Sequence, residues 1–236
     1  MTSPLSYQLA DGIATLRMDD GKANIWGFAM IDALNEALDK ALAEQAVVVV
    51  TGRTGMFSGG FDLAVIKAGG ADIGRMMMAG GAILQRLITF PRPVMAAVTG
   101  HAVAMGALSL LAFDVRIAVA EGARIQLNES QIGLAIPYFG LELGRAKLSL
   151  PHQSLAMASA NAYTPSEAVA AGYLDAIAPV VDFEAAVLAR AQALTRLDPK
   201  AFAETKRRMN LPLIARIAEA DKLDQAAFTA MFGTAV

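Results

Sequence analysis

The sequence contains no cysteine and only two histidines, His101 and His152, among its 236 residues. The absence of cysteine excludes disulfide bonds, thiolate nucleophiles, iron–sulfur clusters and cysteine-based zinc sites. Two isolated histidines also exclude a histidine-rich metal centre, so we expect no metal. His101 is interpreted as a packed structural residue, with a substrate contact as the alternative, and His152 as a surface residue at the start of a helix.

The sequence also lacks a large excess of either positive or negative charge. The chain has 20 Lys and Arg against 22 Asp and Glu, a formal net charge of -2, and no basic run. It therefore offers no electrostatic attraction for nucleic acid or for an anionic membrane, and neither is an expected partner. Residues 1–12 lack the basic and then apolar pattern of a signal peptide, so we expect a cytoplasmic protein.

One uncharged stretch, Pro93–Phe113, is about long enough to span a bilayer. It is rich in alanine and glycine, includes Thr99, His101 and Ser109, and combines strand and helix signals. We interpret it as a buried strand, a turn and a buried helix. A membrane partner is not expected.

Hydrophobic periodicity predicts an α/β protein. Tyr7–Met18 has the pattern of a hairpin with Asp11-Gly12 at its turn, an amphipathic helix follows from Phe28, and Val47–Val50 is a buried strand. Further strands are predicted at Val94–Val98, Asp114–Ala120, Arg124–Leu127 and near Leu174–Ala178. Further helices are predicted at Ile73–Ile88, Tyr138–Leu148, Pro151–Ala160, from Thr164, at Phe202–Met209 and at Leu213–Met231.

Two glycine-containing turns follow buried strands. The first, Gly52–Asp62, lacks the lysine of a phosphate loop and the spacing of a dinucleotide fingerprint, and its serine is not in a nucleophile elbow. Gly59 and Gly60 would let the backbone approach a ligand, although a simple glycine-rich turn is the alternative. The second turn is Thr99–Gly106. Two such turns can direct backbone N–H groups at one point, as an oxyanion hole does.

Glu129 is the only ionisable acid between Arg124 and Glu142. Apolar surroundings disfavour the charged form of a carboxyl group and raise its pKa, which suits proton transfer near neutral pH. The alternative is a surface acid at a strand end. Glu142 is a weaker candidate for a second acid, because a glutamate on a helix is usually solvated.

These features together resemble the crotonase family, also called the enoyl-CoA hydratase/isomerase family. FSGGFDL at Phe57–Leu63 is similar to its first oxyanion motif, and Pro93–Ala118 to its second. The resemblance implies a crotonase (ClpP/crotonase-like) ββα spiral and an acyl-CoA thioester substrate, with coenzyme A only as part of that substrate. It places the two N–H donors at Phe61 and Met105, with Gly59 and Gly60 near the adenine and pantetheine path.

The same resemblance implies a division of the chain. Residues 1–180 would form the spiral core with the CoA and active sites, and residues 181–236 a C-terminal helical region of the same structural unit. That region would mediate a homotrimer, or a hexamer of paired trimers. Lys206, Arg207 and Arg208 could meet CoA phosphates there, although a solvated helix face is the favoured interpretation.

Within this family the carboxylates indicate the reaction. Hydratases use two glutamates, and the matching positions here are Leu108 and Glu129. Leu127–Phe139, LNESQIGLAIPYF, resembles mitochondrial-type 3,2-enoyl-CoA isomerases, which also carry leucine at the Leu108 position. Pro137 stands where dehalogenase-like and dienoyl-isomerase-like members place a carboxylate. The resemblance therefore implies a 3-enoyl to 2-enoyl isomerase, with a hydratase, another crotonase-type lyase or hydrolase, or a non-catalytic CoA-ester binder as alternatives.

Met105 departs from the family pattern, because a glycine usually stands at the second oxyanion position. The backbone N–H survives this change, and we expect a narrower acyl pocket. Leu108, Pro137 and Asp62 complete the predicted substrate-binding set. For Asp62, a role in fixing its loop through backbone N–H groups is favoured over contact with substrate.

Overall fold

The computed structural model describes residues 3–233, and its largest sheet begins with the predicted hairpin. Asp11 and Gly12 both have positive φ, as a tight hairpin turn requires, and the flanking strands pair antiparallel. The other pairings in this sheet are parallel. In spatial order the strands are β1 (Leu5–Ala10), β2 (Ile13–Met18), β4 (Val47–Thr51), β7 (Val94–Val98), β9 (Val115–Val119) and β11 (Ala176–Ala178).

Two smaller sheets carry the glycine-containing turns. One contains β10 (Ile125–Gln126), β8 (Gly100–Val103) and β5 (Gly55–Ser58), all parallel. The other pairs β3 (Ile25–Trp26) with β6 (Gly60–Phe61). In the chain, β5 follows β4 and β8 follows β7. Because β4 and β7 are neighbouring parallel strands, both turns begin at the same end of the large sheet.

Helices cover both faces of the large sheet. The helices are α1 (Phe28–Ala43), α2 (Leu63–Ala68), α3 (Ala71–Thr89), α4 (Met105–Leu110), α5 (Tyr138–Lys147), α6 (Leu150–Met157), α7 (Pro165–Ala171), α8 (Phe183–Thr195) and α9 (Pro199–Phe232). The first face packs against α1, α3 and α4 in the main core, and the second packs against α8 in a smaller one. A single 3-10 helix, Glu129–Ile132, follows β10 in the described chain.

The uncharged stretch Pro93–Phe113 contains the predicted buried strand and buried helix, β7 and α4. The predicted turn between them includes a further short strand, β8. Across residues 3–233, none of the helices combines the length and the apolar character needed to cross a membrane.

The prediction of two separate C-terminal helices is wrong. A single helix of 34 residues, α9, continues through Pro212. Proline inside a helix costs about 3 kcal/mol, but Pro212 lies on the solvent side, while Leu213, Ile217 and Ala220 are buried against α3 and α5. This packing outweighs the lost backbone hydrogen bond. Assembly of α9 into a trimer stays a prediction.

Candidate active site

An apolar cavity of about 90 Å³ lies where the two glycine-containing turns meet the segment after β10. Its only polar side chains are those of Asn128 and Glu129. The lining residues are Gly59, Phe61, Leu63, Ile66, Met77, Ala104, Met105, Leu108, Asn128, Glu129, Ile132, Leu134, Ala135 and Pro137. The cavity therefore places one carboxylate against an almost entirely hydrocarbon wall.

Glu129 is the first residue of the 3-10 helix and is only 8% exposed. Its Oε2 atom has no hydrogen-bond partner among the described residues. Burial raises the pKa of the Glu129 carboxyl from 4.5 to about 7. The alternative of a surface acid is therefore wrong, and this side chain can both accept and return a proton near neutral pH.

The two turns approach each other at Gly60. A Cβ atom at this position would lie 2.8 Å from the Cβ of Ala104 and 3.3 Å from the backbone N of Met105, so the close approach requires glycine. Ala104 itself has a φ of 50° and a ψ of -124°, a strained conformation for a residue with a side chain. Phe61 ends β6 directly after Gly60, so the backbone of Phe61 is held beside that of Met105.

The N–H of Met105 is a donor without a protein acceptor. Met105 is the first residue of α4, where helical geometry provides no acceptor, and residues 3–233 supply none from elsewhere. Phe61 and Met105 both line the cavity, so their backbone N–H groups stay the predicted pair of oxyanion donors.

The side chains of Phe61 and Met105 meet over helix α3. A Cβ added to Gly80 would lie 2.6 Å from Cε1 of Phe61 and 3.2 Å from Cε of Met105. The helix can lie this close to both side chains only because residue 80 is glycine. The end of the Met105 side chain therefore lies beside the ring of Phe61, and the expected narrowing of the acyl pocket stays a prediction.

Leu108 and Pro137 line the cavity, whereas two other predicted substrate-binding residues do not. Gly60 packs beneath Ala104, and Asp62 caps α2 by accepting a hydrogen bond of 2.8 Å from the N–H of Ala64. With Leu108 buried in the lining, Glu129 is the only ionisable side chain among the residues that form this wall.

The sequence profile of the enoyl-CoA hydratase/isomerase family matches residues 8–235. The chain belongs to this family. A probable enoyl-CoA hydratase of Rhodobacter capsulatus is 30% identical over 220 residues, which is 91% of this chain and 85% of that protein. The fold is the crotonase fold, as the solved structures of this family show.

Two of these solved structures illustrate the likeness. An enoyl-CoA hydratase/isomerase family protein from Pseudomonas syringae is 37% identical, with a TM-score of 0.92 and coverage of 94% of this chain and 96% of that one. A protein from Mycobacterium tuberculosis is 36% identical, with a TM-score of 0.91 and coverage of 96% of this chain and 99% of that one. One structure of that protein is described as an enoyl-CoA isomerase and another as a probable enoyl-CoA hydratase.

Other residues considered from the sequence lie outside the cavity of this crotonase-fold protein. Glu142 forms ion pairs of 2.6 Å with Arg145 and 2.9 Å with Arg216, so it is not a second active-site acid. His101 accepts a hydrogen bond of 3.0 Å from the N–H of Arg124, which fits the structural role. His152 is partly buried, with Nδ1 3.3 Å from the hydroxyl of Tyr163.

Both interpretations of Lys206 are wrong. This side chain is 5% exposed and its Nζ donates to Asp114 Oδ2 at 2.7 Å and to the carbonyl of Leu87 at 2.9 Å. It therefore neither meets a CoA phosphate nor belongs to a solvated face. Arg207 and Arg208 are exposed and pair with Glu204.

Sequence reasoning missed Asn128 as a cavity residue. Its Oδ1 atom is buried and has no hydrogen-bond partner within residues 3–233, and Asn128 is next in sequence to Glu129. The sequence signal that could have identified Asn128 was its position directly before Glu129 in the run Leu127-Asn128-Glu129. No group of three His, Asp or Glu side chains in the described part of the chain could hold a metal ion.

Proposed function

We propose that this enzyme of the hydratase/isomerase family converts 3-enoyl-CoA into 2-enoyl-CoA with Glu129 as its single acid/base. The observation that carries the proposal is the combination of a carboxylate with a pKa of about 7 and an otherwise uncharged cavity wall that includes Leu108. Moving a double bond requires one group that takes and returns the same proton. It requires neither a water nucleophile nor a second carboxylate.

The proposed reaction begins when Glu129 removes a proton from C2 of the 3-enoyl thioester. The electron pair moves toward the thioester carbonyl and gives a dienolate, whose oxygen accepts hydrogen bonds from the N–H groups of Phe61 and Met105. Glu129 then returns the proton to C4, and the double bond lies between C2 and C3. The apolar wall excludes water from the dienolate, which strengthens both hydrogen bonds.

The relatives divide between two reactions. The Rhodobacter capsulatus protein carries a hydratase name, and two Arabidopsis thaliana relatives, 29% identical, carry enoyl-CoA delta isomerase names. The Mycobacterium tuberculosis protein is described in both ways. Hydratase activity is thus a second candidate. Leu108 speaks against it, because the addition of water benefits from two carboxylates that hold and deprotonate one water molecule. A third candidate, a silent CoA-ester binder, draws on Met105 at the usual glycine position.

Incubation of the purified protein with 3-hexenoyl-CoA tests the proposal. We expect the absorbance of the conjugated 2-hexenoyl thioester to appear, and at least a thousandfold loss of this rate in Glu129→Gln. Glu142→Gln is the matched control, because Glu142 is an ion-paired acid outside the cavity. Full activity in Glu129→Gln would refute the mechanism.

The other candidates give different products from the same protein. Conversion of 2-hexenoyl-CoA into 3-hydroxyhexanoyl-CoA faster than any isomerisation would establish the hydratase. Tight binding of hexanoyl-CoA without turnover of any thioester would establish the silent binder. Light scattering in the same buffer tests the proposed homotrimer or hexamer.

A further inference from the structure

The side chain of Asn24 is buried against the first glycine-containing turn and is not part of the cavity lining. It is 0% exposed and its backbone has a φ of 50°, a conformation that asparagine adopts more readily than most residues. Its Nδ2 donates to the carbonyls of Met56 and Phe57 at 3.2 and 3.1 Å. Asn24 therefore holds β5, the strand within this turn that leads to Gly59 and Gly60.

Ser58 continues this connection into the turn. Its buried hydroxyl donates to the carbonyl of Asn24 at 2.8 Å and accepts from the N–H of Gly60 at 3.2 Å. A further hydrogen bond of 2.7 Å joins the N–H of Gly59 to the carbonyl of Ala23. These three hydrogen bonds hold the backbone as far as Gly60, the residue immediately before Phe61.

Asp20 anchors the other side of the same loop. One carboxylate oxygen accepts from the N–H groups of Lys22 and Asn24 at 2.8 and 2.9 Å, and the other accepts from Ile25 at 2.9 Å. The Asn24 Oδ1 in turn accepts from the N–H of Asp20 at 3.2 Å. Asn24 is thus held from both directions and has little freedom to move.

We infer that Asn24 and Ser58 are positioning residues that set the direction of the Phe61 N–H. The inference rests on the proposed function, in which this N–H meets the developing oxyanion. Neither side chain lines the cavity, so neither is expected to contact substrate. A displaced oxyanion donor lowers the rate of the chemical step and leaves the affinity for a ground-state thioester nearly unchanged.

Asn24→Gly and Ser58→Ala test this inference. Glycine keeps the positive φ and removes the side-chain hydrogen bonds. Gln45→Gly is the matched control, because Gln45 has a φ of 54° at an exposed site after α1. We expect kcat on 3-hexenoyl-CoA to fall about 10- to 100-fold in both test variants, with the Kd for hexanoyl-CoA changed less than threefold. Gln45→Gly should change kcat less than twofold.

Hydrogen exchange separates this inference from the proposed function. We expect the amides of residues 57–61 to exchange at least tenfold faster in Asn24→Gly than in Gln45→Gly. If the wild-type protein isomerises no 3-enoyl-CoA, the proposed function is refuted. The hydrogen-exchange result would still decide whether Asn24 holds the loop as inferred. Folded Asn24→Gly and Ser58→Ala proteins with wild-type kcat and wild-type exchange would overturn the inference.

Discussion

The Oδ2 atom of Asp224 in α9 lies 2.9 Å from the backbone N of Phe139 in α5. Its other oxygen accepts from the N–H of Tyr138 at 2.8 Å, and the side chain is almost completely buried. Helix N-termini have unpaired N–H groups and a positive partial charge, so a carboxylate is stabilising there. The C-terminal helix thereby fixes the start of α5, next to the cavity residue Pro137.

Replacement of Asp224 by alanine should therefore destabilise the protein. Two buried N–H groups would lose their charged acceptor, and we expect the free energy of unfolding to fall by about 2 to 4 kcal/mol. Urea denaturation measures this value. Glu219→Ala, an exposed change on the same helix, should cost less than about 0.5 kcal/mol. Equal effects of the two substitutions would show that the helix cap contributes nothing.

The buried pair of Lys206 and Asp114 gives a second prediction. Lys206→Met removes the cation and leaves a desolvated carboxylate, so we expect a loss of about 3 to 5 kcal/mol in unfolding free energy. Asp114 would keep only its 2.9 Å hydrogen bond from the N–H of Val94. The double variant Lys206→Met with Asp114→Asn should recover part of this loss in a double-mutant cycle. A double variant less stable than Lys206→Met alone would contradict the prediction.

Glu129 should lower stability as pH rises. Burial raises the pKa of its carboxyl in the folded protein to about 7 from 4.5, so the folded state binds the proton more tightly than the unfolded chain does. The contribution of Glu129 to the free energy of unfolding is therefore greatest below about pH 4.5, and it is lost as the pH rises from about 4.5 to about 7. Glu129→Gln should thus be about 2 to 3 kcal/mol more stable than wild type at pH 8, and equally stable at pH 4.

The same pKa predicts the pH dependence of the reaction. Only the ionised Glu129 can remove a proton, so kcat/KM should rise tenfold per pH unit below about pH 7 and level off above it. Urea titrations and initial rates across pH 4 to 9 measure both effects. A constant stability difference between Glu129→Gln and wild type across this range would show that the carboxyl pKa is not raised.

Local sequence patterns predicted secondary-structure elements and residues that line the cavity, but they did not predict contacts between residues far apart in the sequence. The hairpin, both glycine-containing turns and the isolation of Glu129 in an apolar segment depend on neighbouring residues in sequence. Lys206, by contrast, pairs with a carboxylate 92 positions away, and the cap from Asp224 reaches 86 positions to Tyr138. No periodicity encodes such partners. The prediction that the helix ends near Pro212 was wrong for the same reason, because packing against α3 and α5 decides whether α9 continues.

Met105 provides the last prediction, which concerns acyl chain length. Its thioether and the ring of Phe61 together occupy the space over Gly80, beside a cavity of only about 90 Å³. Met105→Ala removes three heavy atoms and keeps the backbone N–H. Each additional buried methylene is worth about 0.8 kcal/mol, so two of them correspond to about a tenfold change. We therefore expect kcat/KM for 3-octenoyl-CoA to rise about tenfold relative to 3-hexenoyl-CoA in this variant.

Met76→Ala is the matched control for this experiment. Met76 is equally buried on α3 and does not line the cavity, so the substitution creates a comparable void elsewhere in the core. Both variants should lose about 2 to 5 kcal/mol of unfolding free energy, but only Met105→Ala should change the ratio of the two substrates. Dissociation constants for hexanoyl-CoA and octanoyl-CoA give the same comparison without turnover. An unchanged ratio in both measurements would mean that Met105 does not limit the acyl chain, because the space it vacates would then be closed to substrate.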